Sequence, residues 1–355
     1  MVSWIQPSGL DPAARGAATG ERVVAALDAW AKGWVEARRA SCQSRHTHRD
    51  ASALDLRRAT CLSDQLSQVS ALVAALEQAE DRTLRNAART LAALPEPQRC
   101  AGDDPPAARR HVEAAAGLIT ELEQLSWLTL AGSDAQTRSR AEDLVAKLRA
   151  LPADPASGSL LAEALISLAV AERDDDALTD AEAHLREAVR VSERVGADGV
   201  RARAMVELGW TLGSGLGLGH ARASEAVAIL EHAAALLERI GNPTFERQRQ
   251  RHALANALLA AGQAARAREL FEGLLAEMQE RGFDEAAPAS VLLSLSRVAA
   301  LEGDLSLSLR HAQAALDSYE RHVGPDSPAV AEALREVAAA QTGLGHHEAA
   351  RASSS

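Results

Sequence analysis

The chain has 355 residues, 38 basic against 49 acidic, for a net charge of −11. Aromatic residues make up only 3%, while Ala and Leu dominate the sequence, which excludes a large β domain and favours closely packed helices. A surface of this sign repels a phosphate backbone, so non-specific nucleic-acid binding is disfavoured.

Met1 to Gly20 reads as a loose arm punctuated by Pro7, Gly9, Pro12, Gly16 and Gly20. It lacks a basic stretch followed by an apolar one, so no signal peptide is expected. No run of about 18 apolar residues is present anywhere to span a bilayer. The expected compartment is the cytoplasm. Helical periodicity starts with Val23, Leu27, Trp30, Trp34 and, more weakly, Arg38, predicting a helix over 21–44. A second is predicted over 52–79, with Leu56, Leu62, Leu66, Val69, Leu72 and Leu76 inward, and a third over 82–94, stopped by Pro95 and Pro97. Residues 98–106, with Gly102 and paired prolines, read as a linker.

After Pro106 the pattern becomes one of paired helices. Small residues early in the second helix of each pair fall at Ala141, Ala181, Ala226, Ala267, Ser308 and Ala350, spaced by 40, 45, 41, 41 and 42. Four positions later come Val145, Leu185, Leu230, Phe271 and Ala312; seven later come Leu148, Ala188, Ala233, Leu274 and Ala315. The preceding helix repeats a large residue and then a small one: Leu168-Ala169, Leu208-Gly209, Leu254-Ala255, Leu295-Ser296 and Val337-Ala338. Turns carry Gly262-Gln263, Gly303-Asp304 and Gly345-His346. Small residues let the two helices of a pair approach, and large ones fill the gap to the next pair. The last pair is incomplete, with its second helix starting at His347, and it leaves Leu334 and Val337 partly uncovered.

This pattern resembles the tetratricopeptide repeat, most closely at Leu254-Ala255, Gly262, Ala267, Phe271 and Leu274, in a form whose helices are each about a turn longer than the minimal unit. The resemblance implies an all-α, right-handed superhelical solenoid of about six helix pairs over 107–355, preceded by a three-helix segment over 21–103. It also implies a protein-interaction module or sensor whose concave groove takes a peptide or protein segment. In the repeat, groove-facing positions of the first helix lie six and three before the small residue, one after it and four after it. That register gives Arg203, Val206 and Trp210; Arg249, His252 and Asn256; Leu293 and Arg297; and Arg335. Arg203, Arg249 and Arg297 would form a basic stripe inside an acidic protein. Arginine forks suit carboxylates, so an acidic or C-terminal-carboxylate peptide is the expected ligand. Pairing of these arginines with neighbouring Asp and Glu is the alternative.

The front segment carries Trp30-x3-Trp34-x3-Arg38-x3-Cys42, then Leu56-Arg57-x3-Cys61-Leu62, then Leu94 and Cys100-Ala101. It resembles the segment that precedes tetratricopeptide repeats in large bacterial serine/threonine protein kinases, with the kinase domain absent. What this implies is a regulatory part working in kinase-type signalling, or a detached C-terminal part whose catalytic domain is on another chain. Three cysteines are too few for a disulfide framework. Helix lengths place Cys61 and Cys100 at similar heights, compatible with a bridge in an oxidising compartment; three buried free thiols are the expectation for a cytosolic chain.

Other chemistry is not expected. His48-Arg49-Asp50 opens like a kinase catalytic loop, but Asp55 stands where Asn is required and no Asp-Phe-Gly follows. The glycines from Gly213 to Gly219 lack the spacing and the strand of a phosphate loop, reading instead as an expanded turn. Cys42, His46, His48 and Cys61 lack the short paired spacing of a zinc site. His346-His347-Glu348 has Arg351 where a metal-binding His would fall. The chain is therefore read as a non-enzyme without cofactor or metal, its partner a protein or peptide.

Overall fold

The structure is a computed structural model that describes residues 17–47, 53–77, 93–101, 116–132, 135–214, 219–241, 244–280, 286–322 and 328–347. Among these residues every regular element is a helix. The front segment contains α1 (Ala17–Thr47), α2 (Ala53–Glu77) and the short α3 (Pro97–Ala101). Helix pairs follow: α4 (Ala116–Ala131) with α5 (Ala135–Arg149), α6 (Pro155–Asp174) with α7 (Leu178–Arg194), and α8 (Asp198–Ser214) with α9 (Gly219–Arg239). Then come α10 (Thr244–Ala260) with α11 (Ala264–Glu280), α12 (Ala286–Leu301) with α13 (Leu305–His322), and finally α14 (Pro328–Gly343).

Local chemistry sets several boundaries. Helix α6 starts at Pro155, whose missing N–H costs nothing in a first turn. Asp154 caps it, accepting from the backbone N–H of Ala156 (2.8 Å) and Ser157 (3.1 Å) and from the Ser157 hydroxyl (2.7 Å). The Ser157 hydroxyl, with these amides, holds the Asp154 carboxyl below its ordinary range. Turns within pairs close in one way. The Gly262 N–H donates to Leu259 O and the Gln263 N–H to Leu258 O; Gly303-Asp304 and Gly345-His346 repeat this pairing. The left-handed residue required here is Gly262, Gly303 or Gly345, but Asp176 takes that role between α6 and α7, at φ 63°.

The repeat positions form the core. Ala141, Ala181, Ala226, Ala267 and Ser308 are buried, as are the residues four and seven further on, from Val145 and Leu148 to Ala312 and Ala315. Leu168-Ala169, Leu208, Leu254-Ala255 and Leu295-Ser296 are buried opposite them. The glycine of Leu208-Gly209 is there for space: a Cβ at Gly209 would stand 2.4 Å from Cγ of Leu230. First helices of adjacent pairs pack directly on one another, from α4 on α6 through α12 on α14. Second helices approach one another less, and long side chains bridge them instead, as in Arg186–Glu225 (2.5 Å) and Arg266–Glu231 (3.3 Å). A stack that is tighter along one row curves toward that row, so the first helices line the inner wall.

Several expectations are corrected. Helix α1 begins at Ala17, shortening the expected arm, because Ala17 and Ala18 are strong helix formers. Leu56 is 63% exposed, whereas Asp55 beside it is buried, with Arg58 3.8 Å away. The expected linker contains α3, which carries Cys100 into a buried cluster with Ala37, Cys61 and Leu62. Cys61 and Cys100 form a disulfide with Cα atoms 5.6 Å apart, and Cys42 is an exposed free thiol, so three buried thiols is not the observed arrangement. Val337 is buried among Ala312, Ala315, Leu316 and Tyr319, so α13 already covers it; Leu334 is half-buried. The expected third helix up to residue 92, the His48-Arg49-Asp50 turn, the glycine turn at 215–218 and the final second helix beyond His347 lie outside the described residues.

Candidate functional site: the inner wall of the helix stack

The wall is built from α6, α8, α10, α12 and α14, and its polar side chains meet across helix boundaries. On α8, Arg203 lies 3.7 Å from both Glu163 of α6 and Glu246 of α10. Also on α8, Glu207 is buried and accepts from Arg173 of α6 at 2.8 Å and from Arg249 of α10. Arg249 also stands over the Phe245 ring, 5.6 Å from its centroid. Arg297 of α12 donates through Nη2 to Glu332 (2.6 Å) and through Nε to Glu336 (2.7 Å), both on α14. The wall is thus a ladder of alternating charge, in which each bridge joins one pair to the next.

Burial alone would raise the Glu207 carboxyl, but the charges of Arg249 and Arg173 outweigh it and hold this group down at about 2. Glu207 is therefore ionised at any neutral pH and fixes two guanidinium groups. His252 is governed the other way. Burial, then the charges of Arg249 and Arg297, push its imidazole down to about 4. Trp210 meets it edge-on at 5.3 Å and Phe271 at 5.7 Å. The Ser294 hydroxyl is 3.4 Å from its Nε2. A neutral imidazole wedged between two aromatic rings is an apolar spot in the charge ladder. Asn256 sits one turn further on, its Nδ2 donating to the His252 carbonyl at 3.0 Å.

The nine expected groove residues divide into three groups. Arg203, Trp210, Arg249, His252, Asn256 and Arg297 are half-buried on the wall, and Arg335 is exposed. Val206 and Leu293, 2% and 3% exposed, are corrected to core residues. Their position, three before the small residue, falls between adjacent first helices, and an apolar side chain there sinks into the packing. The expected basic stripe is also corrected: Arg203, Arg249 and Arg297 each face glutamates from neighbouring helices. This is the pairing alternative. Glu163 and Glu332 occupy the same register position as Arg203 and Arg249, so the register read for acids identifies these two, while Glu207, Glu246 and Glu336 fall outside it. Among the described residues, no group of three or more His, Cys, Asp or Glu could hold a metal ion.

A sequence model of the tetratricopeptide repeat family matches residues 161–195 and 289–329, which fall on α6–α7 and α12–α13. No curated protein sequence matches the chain. Among solved structures, it is similar to NprR in complex with its cognate peptide NprX: TM-score 0.54, 12% identity, covering 69% of this chain and 67% of that one. It is also similar to aspartyl phosphate phosphatase F from Bacillus subtilis: TM-score 0.52, 14% identity, covering 82% and 70%. At these identities the likeness is one of fold. The fold is an all-α solenoid of the tetratricopeptide-repeat kind.

Proposed function

We propose that the chain is a non-catalytic binding module that holds a peptide or extended protein segment along its inner wall. The observation that carries this reading is the wall itself. One row, from α8 to α12, presents a half-buried Trp210–His252 pair flanked by Asn256, Arg249 and Arg297. This combines an apolar anchor, an amide and charged forks, the groups that fix an extended chain. Two findings support it: the family match, and the peptide bound to NprR, a protein of similar fold.

The acidic-ligand expectation takes a narrower form. Arg297 and Glu332 are 38% and 41% exposed, so this is the accessible rung. An acidic group enters there by exchange with Glu332 and Glu336, with no free stripe required. The setting in kinase signalling is part of the proposal and rests on the front motif, whose Trp34, Cys61, Leu62 and Cys100 share one cluster. The buried Cys61–Cys100 bridge favours an oxidising compartment over the cytoplasm expected from the sequence. Among the described residues no helix is long and apolar enough to cross a membrane.

The test is selection of 12-residue peptides from a random display library on the full chain, followed by fluorescence anisotropy. Trp210→Ala is expected to weaken selected peptides at least tenfold. Arg297→Glu is expected to weaken acidic ones and reduce their salt dependence. Equal binding by wild type and both variants would reject the wall as the site.

A further inference from the structure

The first helix pair differs from the others in what touches its inner face. Thr129 lies 12 residues before Ala141, the offset that separates Ala169 from Ala181 and Ala255 from Ala267. In that register Glu123 of α4 stands where α8 has Arg203, on the wall, and Trp127 stands where α8 has the buried Glu207. Helix α2 holds both. The Ser67 hydroxyl donates to Glu123 Oε2 at 2.9 Å, and the Trp127 indole N–H donates to the Gln68 carbonyl at 2.8 Å. Trp127 is buried in a cluster with Val23, Leu27 and Trp30 of α1 and Val69 and Leu72 of α2. The front segment therefore covers the wall of the first pair.

The same body touches the solenoid a second time. Cys61 of α2, six residues from Ser67 and so about 9 Å along the helix, is bonded to Cys100 of α3. Arg99, next to it, lies against Gly241 at the end of α9, two pairs downstream: its Nη2 is 3.7 Å from where a Cβ at Gly241 would stand. Trp30 Nε1–H to Pro95 O and Trp34 Nε1–H to Leu62 O, both 2.8 Å, tie α1 to the stretch before α3 and to α2. A guanidinium at a helix C-terminus meets the negative end of the helix dipole.

We propose that α1, α2 and α3 form an intramolecular strap from the wall of α4 to the C-terminal end of α9, latched there by Arg99, and that a bound segment competes with it. This rests on the groove reading above. The occupant of this part of the wall is the chain's own front segment. A ligand entering from the α10–α14 side meets that part of the wall first and, if long enough, must lift the latch.

The test reads the strap without a ligand. Spin labels are placed at Glu36→Cys on α1 and Glu269→Cys on α11 in a Cys42→Ser background, and their separation is measured by pulsed electron resonance. The full chain is expected to give one narrow distance. Arg99→Glu, which sets a like charge against the α9 C-terminus, is expected to raise a longer-distance population several-fold, with Arg99→Ala intermediate. Superimposable distributions for all three, at unchanged helical content, would overturn the strap. So would a broad distribution in the unaltered front segment. Anisotropy with the selected 12-residue peptides separates the two ideas. Tighter binding by Arg99→Glu supports competition. Unchanged distances with intact, Trp210-dependent binding reject the strap and leave the groove standing. Lost Trp210 dependence with a shifted distance does the reverse.

Discussion

Two ionisable side chains on the wall respond to pH for opposite electrostatic reasons but push stability the same way. Glu207 titrates at about 2 in the fold, against an unfolded value of about 4.5. Its stabilisation is complete above about pH 4.5 and disappears as pH falls toward 2, amounting to about 3 kcal/mol. His252 titrates at about 4 against about 6.5 unfolded. Between those values the unfolded chain binds the extra proton, so stability falls as pH drops from about 6.5 to 4. Urea midpoints at pH 7, 5.5, 4.5 and 3.5 are expected to decline for wild type. In His252→Gln that decline is expected to shrink, while the loss below pH 4.5 from Glu207 persists. An identical pH profile in the variant would show that His252 is not the group responsible. Asp176 offers a simpler check. It is the one non-glycine at positive φ among the described residues, and the matching turns use Gly262, Gly303 and Gly345. Asp176→Gly is expected to raise stability by up to about 1 kcal/mol, read from denaturant unfolding.

Helix pairs were legible in the sequence because their small residues answer one steric demand. Ala181, Ala226 and Ala267 recur where two helices must approach, and all three are fully buried. Gly209 shows how tight that approach is. A methyl there would overlap Leu230, with Cγ at 2.4 Å and both Cδ atoms at 2.8 Å. Gly209→Ala is expected to destabilise by about 1–3 kcal/mol, the usual range for overpacking, despite the higher helix propensity of Ala. Gly117→Ala, where nothing lies within 4 Å of the added Cβ, is the control and is expected to be neutral or slightly stabilising. Thermal unfolding by circular dichroism separates the two. The wall was less legible than the core, because periodicity says which face a residue occupies and not what stands opposite. Arg249 lies on the wall, yet its partner Glu207 comes 42 residues earlier from another pair. Register points Val206 and Leu293 at the groove, but both are buried, an apolar side chain at that position turning into the packing. Position in the repeat fixes a side chain's direction only coarsely.

At the scale of the whole molecule, stability passes from neighbour to neighbour, as in any stack whose units bury their faces only against the next. The front segment differs, since a covalent bond closes it on itself. Cys61 and Cys100 are separated by 39 positions, and closing a loop of that length removes about 4 kcal/mol of unfolded-chain entropy. Both sulfurs sit among buried residues, Cys100 at 0% and Cys61 at 5% exposure, so reductant reaches them only after local opening. The replacement Cys61→Ser with Cys100→Ser is therefore expected to act unevenly. It removes that constraint and leaves two hydroxyls in an apolar cluster with Ala37 and Leu62. Helices α1 to α3 should loosen first. Trp127 then loses its cover, and the disturbance reaches α4 directly, the end of α9 at Gly241 through Arg99, and α6 through α4. Pairs from α10 onward, held by Phe271, Leu274 and the Arg297 rung, should keep their stability. Hydrogen exchange followed by mass spectrometry is expected to show faster exchange in 53–77 and 116–131 of the double variant, graded to none beyond about residue 244. Uniform acceleration through α14 would instead mean that the front segment and the stack unfold as one cooperative unit.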